Sequence, residues 1–230
     1  MISIITPLLN EEGYIEPFIS HLRELQGDFE LILVDGKSSD GTLEEAGRCR
    51  KGFEHRFILL EGSRGRASQM NVGAKNARGD ILLFLHVDCF IPKDSLFLIE
   101  RTVYQEMAAG GGFRQAFANP DTFLKLQSAI GNMRAKITGT FYGDYGIFMR
   151  KDIFEKMGGF DNVPFLEDVE ICRKAKKFGR LARIDRVITT SPRRYLSKGR
   201  ARLMAAFILA ILFNAVGLHP GFLTEYIVDK

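Results

Sequence analysis

Short apolar runs alternate with helical patterns through the amino-terminal part of the chain, and that alternation limits the fold more than any other feature. Met1–Pro7, Glu30–Val34, Phe57–Glu61 and Asp80–Leu85 have the character of strands. Their apolar residues are largely contiguous, as expected of strands buried on both faces. Between them, Glu12–Gln26 carries Ile15, Phe18, Ile19, Leu22 and Leu25 at helical spacing, and Thr42–Cys49 and Arg66–Ala77 are further helix candidates. Parallel neighbours require such crossovers, so the pattern predicts an α/β fold, a mainly parallel sheet flanked by helices on both faces.

Beyond about Leu96 the rhythm changes. Helices are expected over Leu96–Ala109, Leu124–Ile137, Lys151–Met157 and Asp168–Phe178, the last two stopped by Gly158-Gly159 and Gly179. Strands are expected over Gly110–Phe117 and Gly146–Arg150, with two short ones at Leu181–Ile184 and Val187–Thr190. No repeat, low-complexity tract or Pro/Gly/Ser-rich linker interrupts the 230 residues, which predicts one continuous domain. Hydrophobic residues, at 46%, allow a sizeable core.

Carboxylates stand where the strands end. The run Asp80–Val87 stops at Asp88, and a strand of this kind delivers its last side chain to the edge where open α/β sheets bind ligands. A carboxylate there can hold a divalent metal, and a metal there can neutralise a diphosphate. The second strand runs into Val34-Asp35-Gly36-Lys37-Ser38-Ser39-Asp40-Gly41-Thr42. Asp40 suits a helix cap, whereas Asp35, at the strand mouth, can accept the imide N–H of a uracil-type base. The first strand ends in Thr6-Pro7-Leu8-Leu9-Asn10-Glu11-Glu12, which alone also fits an ordinary helix start. Strand ends at Pro7, Asp35 and Asp88 would be neighbours at one sheet edge. Gly65–Gly73 places a helix N-terminus and Arg66 ahead of the Asp88 strand. Such a terminus can approach a phosphate through its N–H groups, although taken alone the segment is a helix start with a surface arginine.

Together these segments resemble family 2 glycosyltransferases of the GT-A fold. The resemblance rests on the proline-asparagine-glutamate start at Pro7, Asn10 and Glu11, and on the Val-Asp-Gly-x-Ser-x-Asp-Gly-Thr loop at Val34–Thr42. A helix with Arg66 and Asn71 and the Phe-Leu-His-x-Asp strand end at Phe84–Asp88 follow in order, over Ile2–Pro92. Gly143–Gly179 and Arg193–Tyr226 look like a small bacterial branch of the family, associated with radical-SAM and selenium-type gene neighbourhoods. The family's pattern implies that Asp35 binds the base, that Glu11 lies near base and ribose, and that Pro7, Asn10, Arg66 and Asn71 belong to the nucleotide site. Asp88 would be the metal-binding member of an Asp-x-Asp element whose first position is here His86. A histidine can bind Mn²⁺ or contact the ribose, but supplies no second negative charge.

Phe165-Leu166-Glu167-Asp168-Val169-Glu170 crowds three carboxylates into a helix start. The first helical turn favours negative charge, so a purely structural reading exists. The functional reading is that one carboxylate deprotonates an acceptor hydroxyl, kept ionised by the helix terminus and a nearby metal. The segment resembles the family's Glu-Asp element, which implies Asp168 as the base and Glu167 in acceptor binding or support. Asp144, in the glycine-bounded Gly143-Asp144-Tyr145-Gly146, is a candidate contact to an acceptor hydroxyl. The related branch often shows glutamine where Tyr145 stands. Arg193 or Arg194 can stabilise a leaving diphosphate, because a guanidinium matches phosphate oxygens bidentately; Tyr195 has the character of a packing residue.

The reaction so implied is inverting transfer of a sugar from a nucleotide diphosphate sugar, UDP- or GDP-linked, to an acceptor hydroxyl, assisted by Mn²⁺ or Mg²⁺. The acceptor is a small molecule, a glycan or a lipid carrier. Residues from about 1–95 would form the nucleotide half, about 96–200 the acceptor and catalytic half, and about 201–230 a C-terminal helical tail. Two other classes compete. A nucleotidyltransferase normally opens with a glycine-rich loop where this chain has Leu8-Leu9-Asn10-Glu11. A non-catalytic nucleotide-sugar or lipid-binding protein would have no need of Asp168. A net charge of +4 is too small for a nucleic-acid footprint. Leu203–Leu218 is strongly apolar but shorter than the about 20 residues a membrane span needs, and Pro220 closes it. It is expected to pack on the core or in a homodimer, with peripheral membrane contact as a third reading. Scattered Cys49, Cys89 and Cys172, and an N-terminus that enters a strand at once, suggest a reducing, cytoplasmic setting without a signal peptide.

Overall fold

The computed structural model describes residues 1–215, 218, 220, 222 and 223. Its first half follows the alternation. Strands β1 (Ile2–Leu8), β2 (Phe29–Asp35), β3 (Arg56–Glu61) and β4 (Ile81–Phe84) are joined through α1 (Ile15–Leu22), α2 (Thr42–Cys49) and α3 (Arg66–Asn76). β1 pairs in parallel with both β2 and β4, and β2 with β3. Successive side chains of a strand point to opposite faces. Ile4, Leu31 and Leu83 therefore pack with Ile15 and Phe18 of α1, while Ile5, Ile32 and Leu82 pack with Met70 and Ala74 of α3. Each such burial contributes about 1.5–3 kcal/mol, so the strand ends sit on a well-fixed base.

The second half adds β5 (Cys89–Phe90), α4 (Ser95–Tyr104), β6 (Gly110–Phe117), α5 (Thr122–Thr138), β7 (Ile147–Arg150) and α6 (Lys151–Lys156). Then come α7 (Glu167–Ala175), β8 (Leu181–Thr190), α8 (Arg193–Lys198) and α9 (Arg200–Ala215). All strands join one sheet in the order β3-β2-β1-β4-β7-β6-β8-β5. β7 is antiparallel to β4 and β6, β5 is antiparallel to β8, and β6 and β8 are parallel. The glycine run opening β6 is sterically required: a Cβ at Gly111 would collide with the Ala182 carbonyl of β8.

Three local expectations are corrected. The first helix is shorter than Glu12–Gln26, because the Glu11, Glu12, Gly13 and Glu16 N–H groups bond to Thr42, Asp40 and Glu45 across the loop instead of within a helix. Leu181–Thr190 is a single strand rather than two: the charged pair Asp185 and Arg186 lies where the pairing slips between Gly112 and Arg114 of β6. β4 stops at Phe84, so Asp88 is presented by the turn between β4 and β5, closed by the Cys89 N–H on the His86 carbonyl at 3.0 Å. Arg193–Lys198, to which the sequence assigned no element, forms a short helix. In α9, Ala206 and Ala210 are buried against Phe165 and Leu166, and Leu203 is buried as well, in line with the packing reading. Gly217 and Tyr226 lie outside the described residues, and no described helix is long and apolar enough to cross a membrane.

Candidate active site

The parallel register brings β1, β2 and β4 out at one edge, pairing Leu8 with Asp35 and Ile5 with Phe84. The first two loops are sewn together. The Asn10 N–H donates to Ser38 Oγ at 2.9 Å, and Asn10 Oδ1 accepts the Ser39 N–H at 2.9 Å. Asp35 is fully buried and accepts the Ser38 N–H at 2.9 Å and its hydroxyl at 2.5 Å. A carboxylate has about four lone-pair sites, so capacity for a base N–H remains. α2 starts after Gly41, and Asp40 serves it from one position earlier by accepting the Thr42 N–H at 3.1 Å. Gln69, which the sequence did not single out, fixes both strand ends: its Nε2 donates to the Leu8 and Val34 carbonyls, each at 2.7 Å.

Arg193 reaches this edge from α8. Its Nε donates to Asp88 Oδ2 at 3.0 Å, and its two terminal nitrogens donate to Glu11 at 2.5 and 2.8 Å. The Tyr14 ring lies 4.3 Å below the guanidinium. Burial works against the charge on Arg193, yet Glu11 and Asp88 together raise its pKa. One arginine thus joins the two carboxylates expected at the ribose and at the metal. His86, in the same turn as Asp88, is half-buried. Burial and then Arg66 push its pKa down to about 4, so the imidazole is neutral. Its Nε2 lies against Gly143, where a Cβ would not fit.

The carboxylates expected on the acceptor side come from α7 and the turn before β7. α7 begins at Glu167, preceded by Leu166 at φ 60°, a left-handed conformation that costs a leucine about 1–2 kcal/mol. Leu166 and Phe165 are held by Ala206 and Ala210 of α9, and Asn214 donates to Glu170 at 3.2 Å. Asp168 accepts the Gly143 N–H at 2.7 Å and the Val169 N–H at 2.8 Å. The sequence reading has a carboxylate kept ionised by the helix terminus and a nearby metal ion. Within the protein itself, burial, followed by the charge of Glu167, pushes Asp168 up to about 7 against the pull of Arg66 and the two N–H groups. Glu167 is buried and pairs with Arg66 at 2.9 Å, so Arg66 is no mere surface arginine and reaches the carboxylates at the start of α7. Asp144 sits in a 3₁₀ turn; burial and then Asp88 push it up to about 6, opposed by Arg194 and Arg134. Arg134 of α5, also missed, stacks 3.7 Å over the Tyr142 ring, and Arg194 lies 5.8 Å over Phe207.

Pro7, His86, Gly143, Glu167 and Asp168 line one small cleft, walled by Met70, Phe84 and Phe160. Asn71 bonds the Phe160 N–H and carbonyl, each at 2.9 Å, and so ties α3 to the segment that leads into α7.

The chain matches Glycosyl transferase family 2 over residues 3–158. An undecaprenyl-phosphate 4-deoxy-4-formamido-L-arabinose transferase of Photorhabdus laumondii is 27% identical over 96% of this chain and 78% of that protein. A PGL/p-HBAD biosynthesis glycosyltransferase of Mycobacterium bovis is 31% identical over 76% of this chain and 57% of that protein. Among solved structures, a mannosyltransferase from Pyrobaculum calidifontis in complex with GDP-Man and Mn²⁺ aligns with a TM-score of 0.74 at 20% identity, covering 98% of this chain and 67% of that one. S. aureus TarS 1-349 in complex with UDP-GlcNAc aligns with a TM-score of 0.65 at 19% identity, covering 98% and 71%. Family match and fold agree: the chain belongs to glycosyl transferase family 2 and is a glycosyltransferase of the GT-A fold.

Proposed function

We propose that this glycosyltransferase moves a sugar, with inversion, from a nucleotide diphosphate sugar to an acceptor hydroxyl, with Asp168 as general base. One observation carries the reading: Asp168, with its carboxyl poised near 7, lines the same cleft as Pro7 and His86 at the strand edge. A base whose pKa lies near the working pH balances availability against proton affinity. The acceptor oxygen attacks the anomeric carbon from the face opposite the diphosphate and gives its proton to Asp168. Glu167 and Arg66, paired at 2.9 Å, steady that base, and Asp144 orients the acceptor. Asp35 takes the base of the donor, with Pro7, Asn10 and Glu11 around the nucleoside, while Arg193 and Arg194 meet the departing negative charge.

The side chains fit a divalent ion that arrives with the donor. Asp88 offers one carboxylate and His86 a neutral imidazole, and among the described residues no three His, Cys, Asp or Glu side chains cluster as a resident site. A single carboxylate plus substrate phosphates is a common way to bind Mg²⁺ or Mn²⁺. Bound there, the ion would offset charge on the diphosphate.

A panel of UDP- and GDP-sugars with Mn²⁺ or Mg²⁺ tests the reading, with calorimetry for binding and mass spectrometry for transfer and donor hydrolysis. No affinity for any of these donors would refute the donor assignment. Binding without turnover, unchanged by Asp168→Asn, would favour a non-catalytic binder.

A further inference from the structure

Helix α5 has two faces with different surroundings. Leu124, Ser128 and Ala135 are buried toward the protein. Gly131 and Arg134 touch Tyr145 and Tyr142, the residues that flank Gly143 and Asp144 beside the Asp168 cleft. On the opposite side, Leu126, Ile130, Met133 and Ile137 are 60%, 59%, 64% and 76% exposed. At 3.6 residues per turn these four fall within an arc of about 60° that runs the length of the helix. A continuous stripe of this kind differs from the scattered apolar residues any surface shows.

The charges on α5 itself are of one sign. α5 carries Lys125, Arg134 and Lys136 and no acidic residue. Lys125 and Lys136 are exposed along one flank. An apolar stripe with cationic flanks is the pattern of a helix lying in a bilayer interface, its lysine stems covering apolar surface while the ammonium groups meet lipid phosphates. A second copy of the chain suits the face less well, since two-fold pairing would set stripe on stripe with lysines and no facing carboxylate on either helix.

We propose that the outer face of α5 docks the enzyme onto an anionic lipid bilayer, bringing the acceptor side of the cleft to the membrane surface. The purpose of the contact rests on the transferase reading, but the contact itself is measured without donor.

The chain contains no tryptophan, so Ile130→Trp is a unique reporter that keeps the face apolar. With vesicles of phosphatidylcholine and phosphatidylglycerol in equal parts, its emission shifts to the blue. The parent protein floats with these vesicles, and less with phosphatidylcholine alone or at high salt. Met133→Glu/Ile137→Glu lowers the partition by at least about a hundredfold. Lys125→Gln/Lys136→Gln lowers it about twentyfold, on the anionic vesicles only. Unshifted tryptophan emission together with flotation that the glutamates leave unchanged overturns the proposal. So does a dimer, seen by light scattering, that the glutamates split while vesicle binding is absent. Vesicle binding without any sugar transfer would leave this inference standing and sink the transferase reading; transfer to a water-soluble acceptor without vesicle binding would do the reverse.

Discussion

Replacing Arg193 with methionine keeps the aliphatic bulk and removes the guanidinium that joins the Glu11 loop to Asp88. Three charge-assisted hydrogen bonds disappear, at 3.0 Å to Asp88 and at 2.5 and 2.8 Å to Glu11. Bonds to charged groups contribute about 1.5–3 kcal/mol each, and their loss leaves two carboxylates without the cation that neutralised them. The side chains of Arg193, Glu11 and Asp88 are 26%, 16% and 12% exposed, so water recovers part of that cost. The net expected loss is about 3 kcal/mol of folding stability. A urea titration at neutral pH reads it as a lower midpoint at unchanged slope. In a melt it is a fall of about 6–12 °C, at about 2–4 °C per kcal/mol for a chain of this size. Mn²⁺ then raises the melting temperature of the variant more than that of the parent, because a cation can replace the lost guanidinium. A variant within about 0.5 kcal/mol of the parent and indifferent to Mn²⁺ would refute the reasoning from this bridge.

Other consequences follow from the same geometry. The transfer rate has an acidic limb with an apparent pKa near 7, where burial and then Glu167 place Asp168, and Glu167→Gln moves that limb to lower pH; a parent limb near 4 would contradict it. The folded pKa of Asp168 lies above the unfolded value of about 3.9, so its contribution to stability is full below that value and is lost as pH rises through about 7. Asp168→Asn is therefore more stable than the parent in alkaline urea titrations; equal or lower stability there would count against the shift. Gln69→Leu strips one donor from each of two strand-end carbonyls and costs about 2 kcal/mol, with faster hydrogen exchange in the Asn10 and Ser38 loops. Ala210→Asp buries a carboxylate against Phe165 and Leu166, costs about 3 kcal/mol or more and lowers the transfer rate by loosening the start of α7; a variant with parental stability and rate would show that α9 does not support the site.

Much of the first half was legible in the sequence because β1, β2 and β4 are buried on both faces and so are largely apolar. β5 has two residues, too few to carry a period, and β8 was divided by its own exposed charges at Asp185 and Arg186. Residue type alone did not single out the site. Glu30 and Asp35 lie in one strand and are both fully buried, yet Glu30 is locked by Ser3 and the Arg78 N–H at the far end of the sheet. What marks Asp35 is its place at the strand's C-terminal end, and chain order supplies that. The Arg193 bridge spans 182 residues to Glu11 and follows no local rule. The burial and the neighbouring Glu167 that raise the pKa of Asp168 exist only once the cleft is assembled, so no local pattern carries them.

The central claim is that Asp168 takes the acceptor's proton. The most direct measurement sets the transfer rate of Asp168→Asn beside its donor affinity by calorimetry. The account predicts donor binding within about twofold of the parent and transfer slower by about 10²–10⁴-fold. Transfer by Asp168→Asn at the parental rate would contradict it.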